Sequence, residues 1–217
     1  MIDTHDGQKV YNPWVLRIYD FYVVFLSNKF VWGCPANKQL AQYKELIKEN
    51  HLDIGVGSGY YLFKTLNNNQ NSHIKIALMD LNQNSLHFAA KRIKNNNPTL
   101  IKADIMRPLS EEILSNQYDS IGLNFLLHCL PGTMEDKNII FENISELLKP
   151  NGVCFGSTII NDYKNKRAKK LANIYNKKGI FSNDQDTYKA LEKNLKQYFK
   201  IVQLKQVGSV VLFQAQK

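Results

Sequence analysis

Short apolar segments alternate with helix-like segments in this chain, and the alternation restricts the fold more than any other feature. The short segments predict strands at 52–54, 74–79, 100–103, 120–124 and 153–157. The segments between them repeat apolar residues at three- and four-residue steps, as helices do. These predicted helices are 60–67, 84–95, 109–116 and 136–148. Strands that alternate with helices predict an α/β fold with a mostly parallel sheet covered on both faces.

The last third of the chain departs from this alternation. Two predicted helices, 162–177 and 185–198, precede two predicted strands, 201–207 and 210–214. Only Gly208-Ser209 separates the two strands. A two-residue link cannot make a parallel crossover, so the pair must be an antiparallel hairpin.

Length and composition indicate an ordinary globular protein. The chain has 217 residues, of which 44% are hydrophobic and 22% charged, which suits one domain and excludes wholesale disorder. The longest apolar run, 21–26, is too short to span a bilayer. The first residues are polar and predict no secretory signal, so we expect a cytoplasmic protein. The three cysteines, 34, 129 and 154, lack metal-ligand spacing, and we expect no metal.

Positive charge is concentrated in residues 161–200, which hold eleven Lys or Arg against four Asp or Glu, within a net charge of +9. A basic surface can attract nucleic acid or anionic substrates. The alternative is that these lysines cover the solvated faces of two helices. The second interpretation is favoured, because no aromatic residues are interleaved with arginines.

A glycine-rich loop follows the first predicted strand, in the sequence Asp53-Ile54-Gly55-Val56-Gly57-Ser58-Gly59. We expect the next helix to begin at about Ser58. Glycines allow the backbone to turn tightly and approach a ligand closely. The spacing is DxGxGxG and not the dinucleotide pattern GxGxxG, which makes a dehydrogenase a poor hypothesis. A carboxylate within the loop suits a cationic ligand better than a pyrophosphate.

Polar side chains also stand at the ends of the next three strands, at Asp80, Asp104 and Asn124. The carboxyl ends of parallel strands share one edge of the sheet, where ligands bind in such folds. We therefore expect these three side chains to converge with Asp53. Asp80 can accept two hydrogen bonds from a ribose diol.

These residues, with the Leu148-Lys149-Pro150-Asn151-Gly152 turn before the fifth strand, resemble the class I S-adenosylmethionine-dependent methyltransferases over about residues 48–217. The resemblance implies a Rossmann-like seven-stranded sheet in the order 3-2-1-4-5-7-6, with strand 7 antiparallel. It also implies S-adenosylmethionine as cofactor and S-adenosylhomocysteine as product. Residues 46–217 would form the methyltransferase domain, with residues 1–45 as a helical cap on the same domain.

The resemblance also implies site residues. Asp53, Gly55, Gly57 and Gly59 would surround the methionine part of the cofactor. Asp80 and Leu81 would lie at the ribose, Asp104 and Ile105 at the adenine. Asn124 would line the floor near the sulfonium. Apart from the resemblance, Tyr19 of the aromatic N-terminal segment is a candidate that could close over the methionine end of the cofactor.

Candidate acceptor residues are aromatic or apolar. Eight aromatic residues precede residue 33, and Tyr11, Trp14 and Trp32 could close over a substrate or simply pack a helix onto the domain. Ile180 and Phe181 lie in a link between late helices that could border the acceptor. His128, four residues after the fourth strand, is the candidate general base, because an unperturbed pKa near 6.5 suits proton removal at neutral pH.

The sequence after the fourth strand differs from one motif of the family, and this difference restricts the class of substrate. Members that methylate nucleobase amines or glutamine amides carry an Asn/Asp-Pro-Pro-Tyr/Phe motif, where this chain has Asn124-Phe125-Leu126-Leu127-His128. The leading hypothesis is therefore methyl transfer to an oxygen or nitrogen of a small, apolar or aromatic metabolite. The alternatives are an RNA or protein methyltransferase, which would use the basic segment, and a non-catalytic cofactor-binding module. We expect neither a nucleic-acid nor a membrane partner, and a monomer or a homodimer.

Overall fold

A computed structural model describes residues 28–67 and 73–217. Seven strands form one sheet in the order β3-β2-β1-β4-β5-β7-β6. The strands are β1 Asn50–Ile54, β2 Lys75–Asp80, β3 Thr99–Lys102, β4 Tyr118–Asn124, β5 Leu148–Ile159, β6 Ile201–Val207 and β7 Val210–Gln216. The sheet is parallel from β3 to β5, and β7 pairs antiparallel with both β5 and β6. The expected fold class, strand order and C-terminal hairpin are confirmed.

Seven α-helices are described. They are α1 Ala36–Leu46, α2 Tyr60–Leu66, α3 Gln83–Arg92, α4 Glu111–Leu114, α5 Asn138–Leu147, α6 Lys166–Lys177 and α7 Tyr188–Tyr198. The two late helices begin later than predicted, because side-chain caps fix their starts. Asn165 accepts a hydrogen bond from the backbone of Ala168, and Thr187 accepts one from Ala190.

The expected turn before the fifth strand is part of β5. Leu148 already pairs with Tyr118, and the pairing with β4 resumes at Val153 after an irregularity. Asn151 has a φ of +62°, a conformation that asparagine tolerates better than most residues. The turn chemistry was correctly identified, but the strand continues on both sides of it.

The core lies on both faces of the sheet. One cluster joins the central strands to α5 and α7, and includes Leu52, Ile121 and Phe141. A second joins the opposite face to α1, α2 and α3, and includes Tyr43 and Leu62. This packing leaves the carboxyl ends of β1 to β4 to the connecting loops. No helix of the described residues is long and apolar enough to cross a membrane.

Candidate active site

The glycine loop leaves β1 in a conformation that only glycine adopts readily. Gly55, Gly57 and Gly59 have φ values of +67°, +50° and +66°, in the left-handed region where a Cβ is costly. The N–H of Gly55 donates to the carbonyl of Met79 at 2.8 Å, which fixes the loop to β2. Helix α2 begins at Tyr60, as the predicted segment 60–67 does. The start at about Ser58 that we expected from the glycine loop is two residues too early, because Gly59 is still left-handed.

The surroundings of the three glycines differ. A Cβ on Gly55 would meet the Leu126 side chain at 2.6 Å, and one on Gly59 would meet Ala89 at 2.9 Å. A Cβ on Gly57 would enter open space. At Gly55 and Gly59 a larger residue would therefore collide with protein atoms. At Gly57 the backbone faces an open space at the sheet edge.

Two carboxylates border this loop. Asp53 is buried, and burial raises its pKa to about 7, while a hydrogen bond from Tyr43 lowers the pKa and the nearby charge of Asp80 raises it further. Burial also raises the pKa of Asp80, against hydrogen bonds from backbone groups that include Gly57 and Asn82. The structure thus places Asp53 and Asp80 together at the carboxyl edge, as expected.

The end of β3 supplies the next two expected residues. Asp104 accepts a hydrogen bond from the backbone of Met106 at 3.0 Å and pairs with Arg107 at 3.4 Å. Ile105 is buried. Its carbonyl accepts a 2.8 Å hydrogen bond from the amide of Asn143, a buried residue of α5 that the sequence analysis did not select. The sequence signal that could have identified Asn143 is a polar residue on the apolar face of the predicted helix 136–148.

Asn124 ends β4 beside Ser157 of β5. The Ser157 hydroxyl donates to Asn124 Oδ1 at 2.9 Å. The next residue, Phe125, has a φ of +56°, which is costly for a bulky side chain. Its N–H donates to the Ser157 carbonyl at 2.7 Å. Strained backbone of this kind is concentrated at functional sites, and here it directs the chain over the glycine loop through Leu126.

His128 lies in a buried 3-10 turn after β4. Its Nδ1 lies 3.3 Å from Thr158 Oγ1 and accepts from the Ile159 N–H at 3.4 Å. Burial, helped by the positive charge of Lys137, lowers the pKa of the ring to about 3. The unperturbed pKa that suggested a general base does not apply to the ring in this position.

Aromatic side chains surround His128 and form one surface, the aromatic wall. Its members are Trp32, Phe125, His128, Tyr175 and Phe181. The Phe181 ring lies 4.5 Å from His128, 4.9 Å from Tyr175 and 5.8 Å from Trp32 between centroids. Phe125 lies 5.8 Å from His128. The structure therefore brings together Trp32, His128 and Phe181, which the sequence analysis had proposed separately.

A buried ion pair, Lys137–Asp186, is connected to the aromatic wall through hydrogen bonds of Ser182. Lys137 donates to Asp186 at 2.8 Å and to the Ser182 carbonyl at 2.7 Å, and both charged side chains are fully buried. The Ser182 N–H donates to the His128 carbonyl at 2.8 Å. The pair was not predictable from the sequence, because 49 residues separate its members and no local pattern indicates it.

The remaining expected site residues divide into two groups. Leu81 follows Asp80 directly and is half-buried, and the half-buried Ile180 precedes Phe181. Tyr11, Trp14 and Tyr19 lie outside the described residues, as does most of the expected cap at 1–45. Within the described ranges no group of His, Cys, Asp or Glu side chains could hold a metal ion.

The basic segment is solvated. All eleven Lys and Arg of 161–200 are exposed, and eight of them lie on α6 and α7. The helices turn small or apolar residues such as Ala168, Ala172 and Leu191 inward. This arrangement favours the interpretation that the lysines cover helix faces.

Sequence comparisons agree with this geometry. The sequence model of a methyltransferase-domain family matches residues 52–154. The demethylluteothin O-methyltransferase of Streptomyces thioluteus is 35% identical over 215 residues, with 97% of this chain and 90% of that protein aligned. A physcion biosynthesis cluster O-methyltransferase of Aspergillus chevalieri is 33% identical, with 99% of this chain and 96% of that protein aligned. The uncharacterized protein YbcY of Escherichia coli strain K12 is 39% identical, with 88% of this chain and 97% of that protein aligned.

Solved structures share the fold at low identity. The N-methyltransferase NodS of Bradyrhizobium japonicum WM9, solved with S-adenosylhomocysteine, has a TM-score of 0.60 at 13% identity, covering 84% of this chain and 87% of that one. An O-methyltransferase family protein of Burkholderia thailandensis has a TM-score of 0.65 at 16% identity. The match covers 84% of this chain and 56% of that longer chain.

Proposed function

This chain belongs to the class I S-adenosylmethionine-dependent methyltransferases, and we propose that it methylates an oxygen or nitrogen atom of a small apolar or aromatic metabolite. The observation that carries the proposal is the aromatic wall. Two of its members, Phe125 and His128, follow β4 directly and so lie at the sheet edge that carries the glycine loop. Flat aromatic side chains favour a flat apolar ligand, since stacked and edge-on ring contacts add to the burial of apolar area. Two of the relatives described above are named as O-methyltransferases.

The proposed cofactor site follows the sheet edge. Asp53, Gly55, Gly57 and Gly59 hold the methionine part, and Asn124 forms the floor near the sulfonium. Asp80 and Leu81 hold the ribose, Asp104 and Ile105 hold the adenine, and Tyr19 closes over the cofactor. The open space beside Gly57 and the carboxylates of Asp53 and Asp80 fit a ligand with an ammonium group and a ribose diol.

The bound cofactor supplies an activated methyl group on a sulfonium, whose leaving group departs neutral and needs no acid. The work of the protein is to align the acceptor atom with that methyl and to exclude water, which together can contribute several powers of ten in rate. We assign this work to Trp32, Ile180 and Phe181, with Tyr11 and Trp14 from the proposed cap at residues 1–45. His128 is placed to contact the acceptor.

The proposal also covers the cellular location, the oligomeric state and the partners of the protein. A cytoplasmic location suits the three cysteines, which are free in the structure. The protein acts as a monomer or a homodimer without a membrane or nucleic-acid partner. The RNA or protein methyltransferase alternative is not favoured, because most of the exposed lysines cover the solvated faces of α6 and α7.

A labelling experiment tests the acceptor class. The protein is incubated with S-adenosylmethionine that carries an isotopically labelled methyl group, together with hydroxylated and aminated aromatic compounds, bulk RNA and a protein extract in separate reactions. We expect label in small molecules, detected by mass spectrometry. Label found in RNA or protein alone would contradict the proposal. At a limiting concentration of S-adenosylmethionine, Asp80→Ala should reduce the labelling roughly 10- to 100-fold, and Glu45→Ala, which removes an exposed carboxylate on α1, should not.

A further inference from the structure

The two ring nitrogens of His128 have different roles, and the backbone assigns them. The N–H of Ile159 can only donate, and it points at Nδ1 from 3.4 Å. Nδ1 is therefore the unprotonated nitrogen of the neutral ring, and Nε2 carries the proton. The Thr158 hydroxyl, 3.3 Å from Nδ1, can donate to it as well and so is compatible with this tautomer. Nε2 has no hydrogen-bond partner within the part of the chain that the structure describes, so its N–H remains available to a ligand.

The ring also stays neutral at physiological pH. It is 3% exposed, and burial together with the charge of Lys137 lowers its pKa to about 3. A ring with this pKa takes up a proton poorly near neutral pH. His128 therefore presents a hydrogen-bond donor and not a base.

A second donor comes from Asn124 at the end of β4. Its Oδ1 accepts from the Ser157 hydroxyl at 2.9 Å, which fixes the orientation of the amide. Its Nδ2 is buried and has no partner among residues 28–67 and 73–217. A buried donor without a partner costs free energy, and such groups in native proteins call for an explanation such as an absent ligand. An acceptor oxygen would satisfy it.

Among residues 28–67 and 73–217, the titratable groups packed around His128 do not offer a base in its place. Burial raises the pKa of Cys129, in the same turn, to about 12, and that of Tyr163, beyond β5, also to about 12. Lys137 before α5 and Asp186 before α7 are fully buried against each other. Asp53 and Asp80 lie at the glycine loop, in the proposed cofactor site.

We infer that the site takes an acceptor hydroxyl that is already ionised, an acidic phenol or enol, in preference to a neutral alcohol or an amine. The inference rests on the proposed function and narrows its acceptor class. Two uncharged donors, His128 Nε2–H and Asn124 Nδ2–H, stabilise an oxyanion, and hydrogen bonds to a charged group are the stronger kind.

The transfer step then needs no proton movement. The hydroxyl loses its proton to water before it binds. A lone pair of its oxygen attacks the methyl carbon, the O–C bond forms, and the C–S bond breaks with its electron pair left on sulfur. A neutral ether and a neutral thioether result. An amine acceptor would instead attack as the neutral base and leave a positively charged ammonium, which two N–H donors do not stabilise.

An acceptor series tests this inference. 4-Hydroxycoumarin, 4-nitrophenol, phenol and benzyl alcohol differ in acidity in that falling order, and benzylamine represents the amines. We expect kcat/KM at neutral pH to fall along the series, and for each hydroxyl to rise with pH up to that compound's own pKa. For phenol that value is about 10. Faster transfer to benzyl alcohol or benzylamine, or one common pH profile for all acceptors, would overturn the inference.

Two substitutions of His128 distinguish a hydrogen-bond donor from a general base at this position. In His128→Gln the side-chain amide replaces the Nε2–H donor but cannot act as a base, whereas His128→Phe removes both capacities. We expect His128→Phe to lose roughly 10- to 100-fold in kcat/KM, the scale of one hydrogen bond to a charged group, and His128→Gln to lose much less. Equal losses would show that a donor at this position does not restore activity and would contradict the inference. Asn124→Asp, which replaces the donor by a carboxylate, should lose at least as much as His128→Phe.

A binding measurement gives a readout that does not depend on turnover. At a pH below the pKa of 4-nitrophenol, protein saturated with S-adenosylhomocysteine should increase the nitrophenolate absorbance, and His128→Phe should not. A decrease, or no change on binding, would contradict the inference. Failure of S-adenosylhomocysteine to bind would instead refute the proposed function. If it binds but no compound of the series is methylated, the cofactor site stands and the acidic-hydroxyl inference falls.

Discussion

The hydroxyl of Tyr43 lies 3.0 Å from Nε2 of His51, in a fully buried contact between α1 and β1. On its other side His51 Nδ1 lies 2.8 Å from the Ser120 hydroxyl, which accepts from the Lys48 N–H. Tyr43 also hydrogen-bonds Asp53. A carboxylate only accepts, so the Tyr43 proton points to Asp53, His51 donates from Nε2, and Ser120 donates to Nδ1. A chain of oriented hydrogen bonds thus ends at the acidic residue of the glycine loop.

The hydrogen bonds that connect His51, Tyr43 and Asp53 predict how cofactor binding depends on pH. Asp53 has a pKa raised to about 7, and its ionised form attracts the ammonium of the methionine part. The affinity for S-adenosylhomocysteine should therefore increase as pH rises through about 7. Tyr43→Phe removes a hydrogen bond that lowers the pKa of Asp53, so the midpoint should move to higher pH. Calorimetric titration across pH 5.5 to 9 measures both.

Two control variants accompany this titration. Asp53→Asn should lack the dependence near pH 7. Tyr118→Phe, which changes another buried tyrosine at the opposite end of β4, should keep the wild-type midpoint. A Tyr43→Phe midpoint equal to that of the wild type would show that Tyr43 does not act on Asp53.

Gly57 offers a second test, with Gly179 as its matched control. Both glycines have positive φ values, +50° and +67°, and a Cβ on either would enter open space. Alanine at either position should destabilise the fold by roughly 1–2 kcal/mol through backbone strain alone. Only Gly57→Ala should also weaken S-adenosylhomocysteine binding, because its methyl group occupies the proposed cofactor space. Denaturant unfolding and calorimetry measure the two effects, and equal affinities would argue against a ligand at Gly57.

The fold was predictable because its signals are local. The alternation of strands and helices, the glycine loop and the two-residue link at Gly208-Ser209 each depend on neighbouring residues. Helix starts were less accurate, since a single cap such as Asn165 or Thr187 decides them. The extension of β5 back to Leu148 depends on its pairing with Tyr118, which no local pattern encodes.

The site was only partly predictable for the same reason. Strand-end residues such as Asp53 and Asp80 could be placed from topology. The pKa of His128 could not, because the burial that lowers it comes from Phe181 and other residues far along the chain. The hydrogen bonds of His51 were not predictable either, since its partners Tyr43 and Ser120 come from α1 and β4.

The Lys137–Asp186 pair predicts a stability effect. Both side chains have zero exposure and lie 2.8 Å apart. Lys137→Met leaves a buried carboxylate uncompensated and should cost about 3–5 kcal/mol in the free energy of unfolding. The double variant Lys137→Met/Asp186→Asn removes both charges and should recover part of that loss. Urea unfolding at 25 °C measures each. A double variant no more stable than the single one would mean that the charges do not interact as the contact implies.

Calorimetric titration of Asp80→Ala determines whether the carboxyl edge of β1 to β4 binds S-adenosylmethionine. The wild type should bind both S-adenosylmethionine and S-adenosylhomocysteine. Asp80→Ala, without the carboxylate proposed for the ribose diol, should bind roughly 10- to 100-fold more weakly. The exposed-site variant Glu45→Ala should bind as the wild type does. Equal affinity in Asp80→Ala and wild type, or no binding by the wild type, would contradict the account.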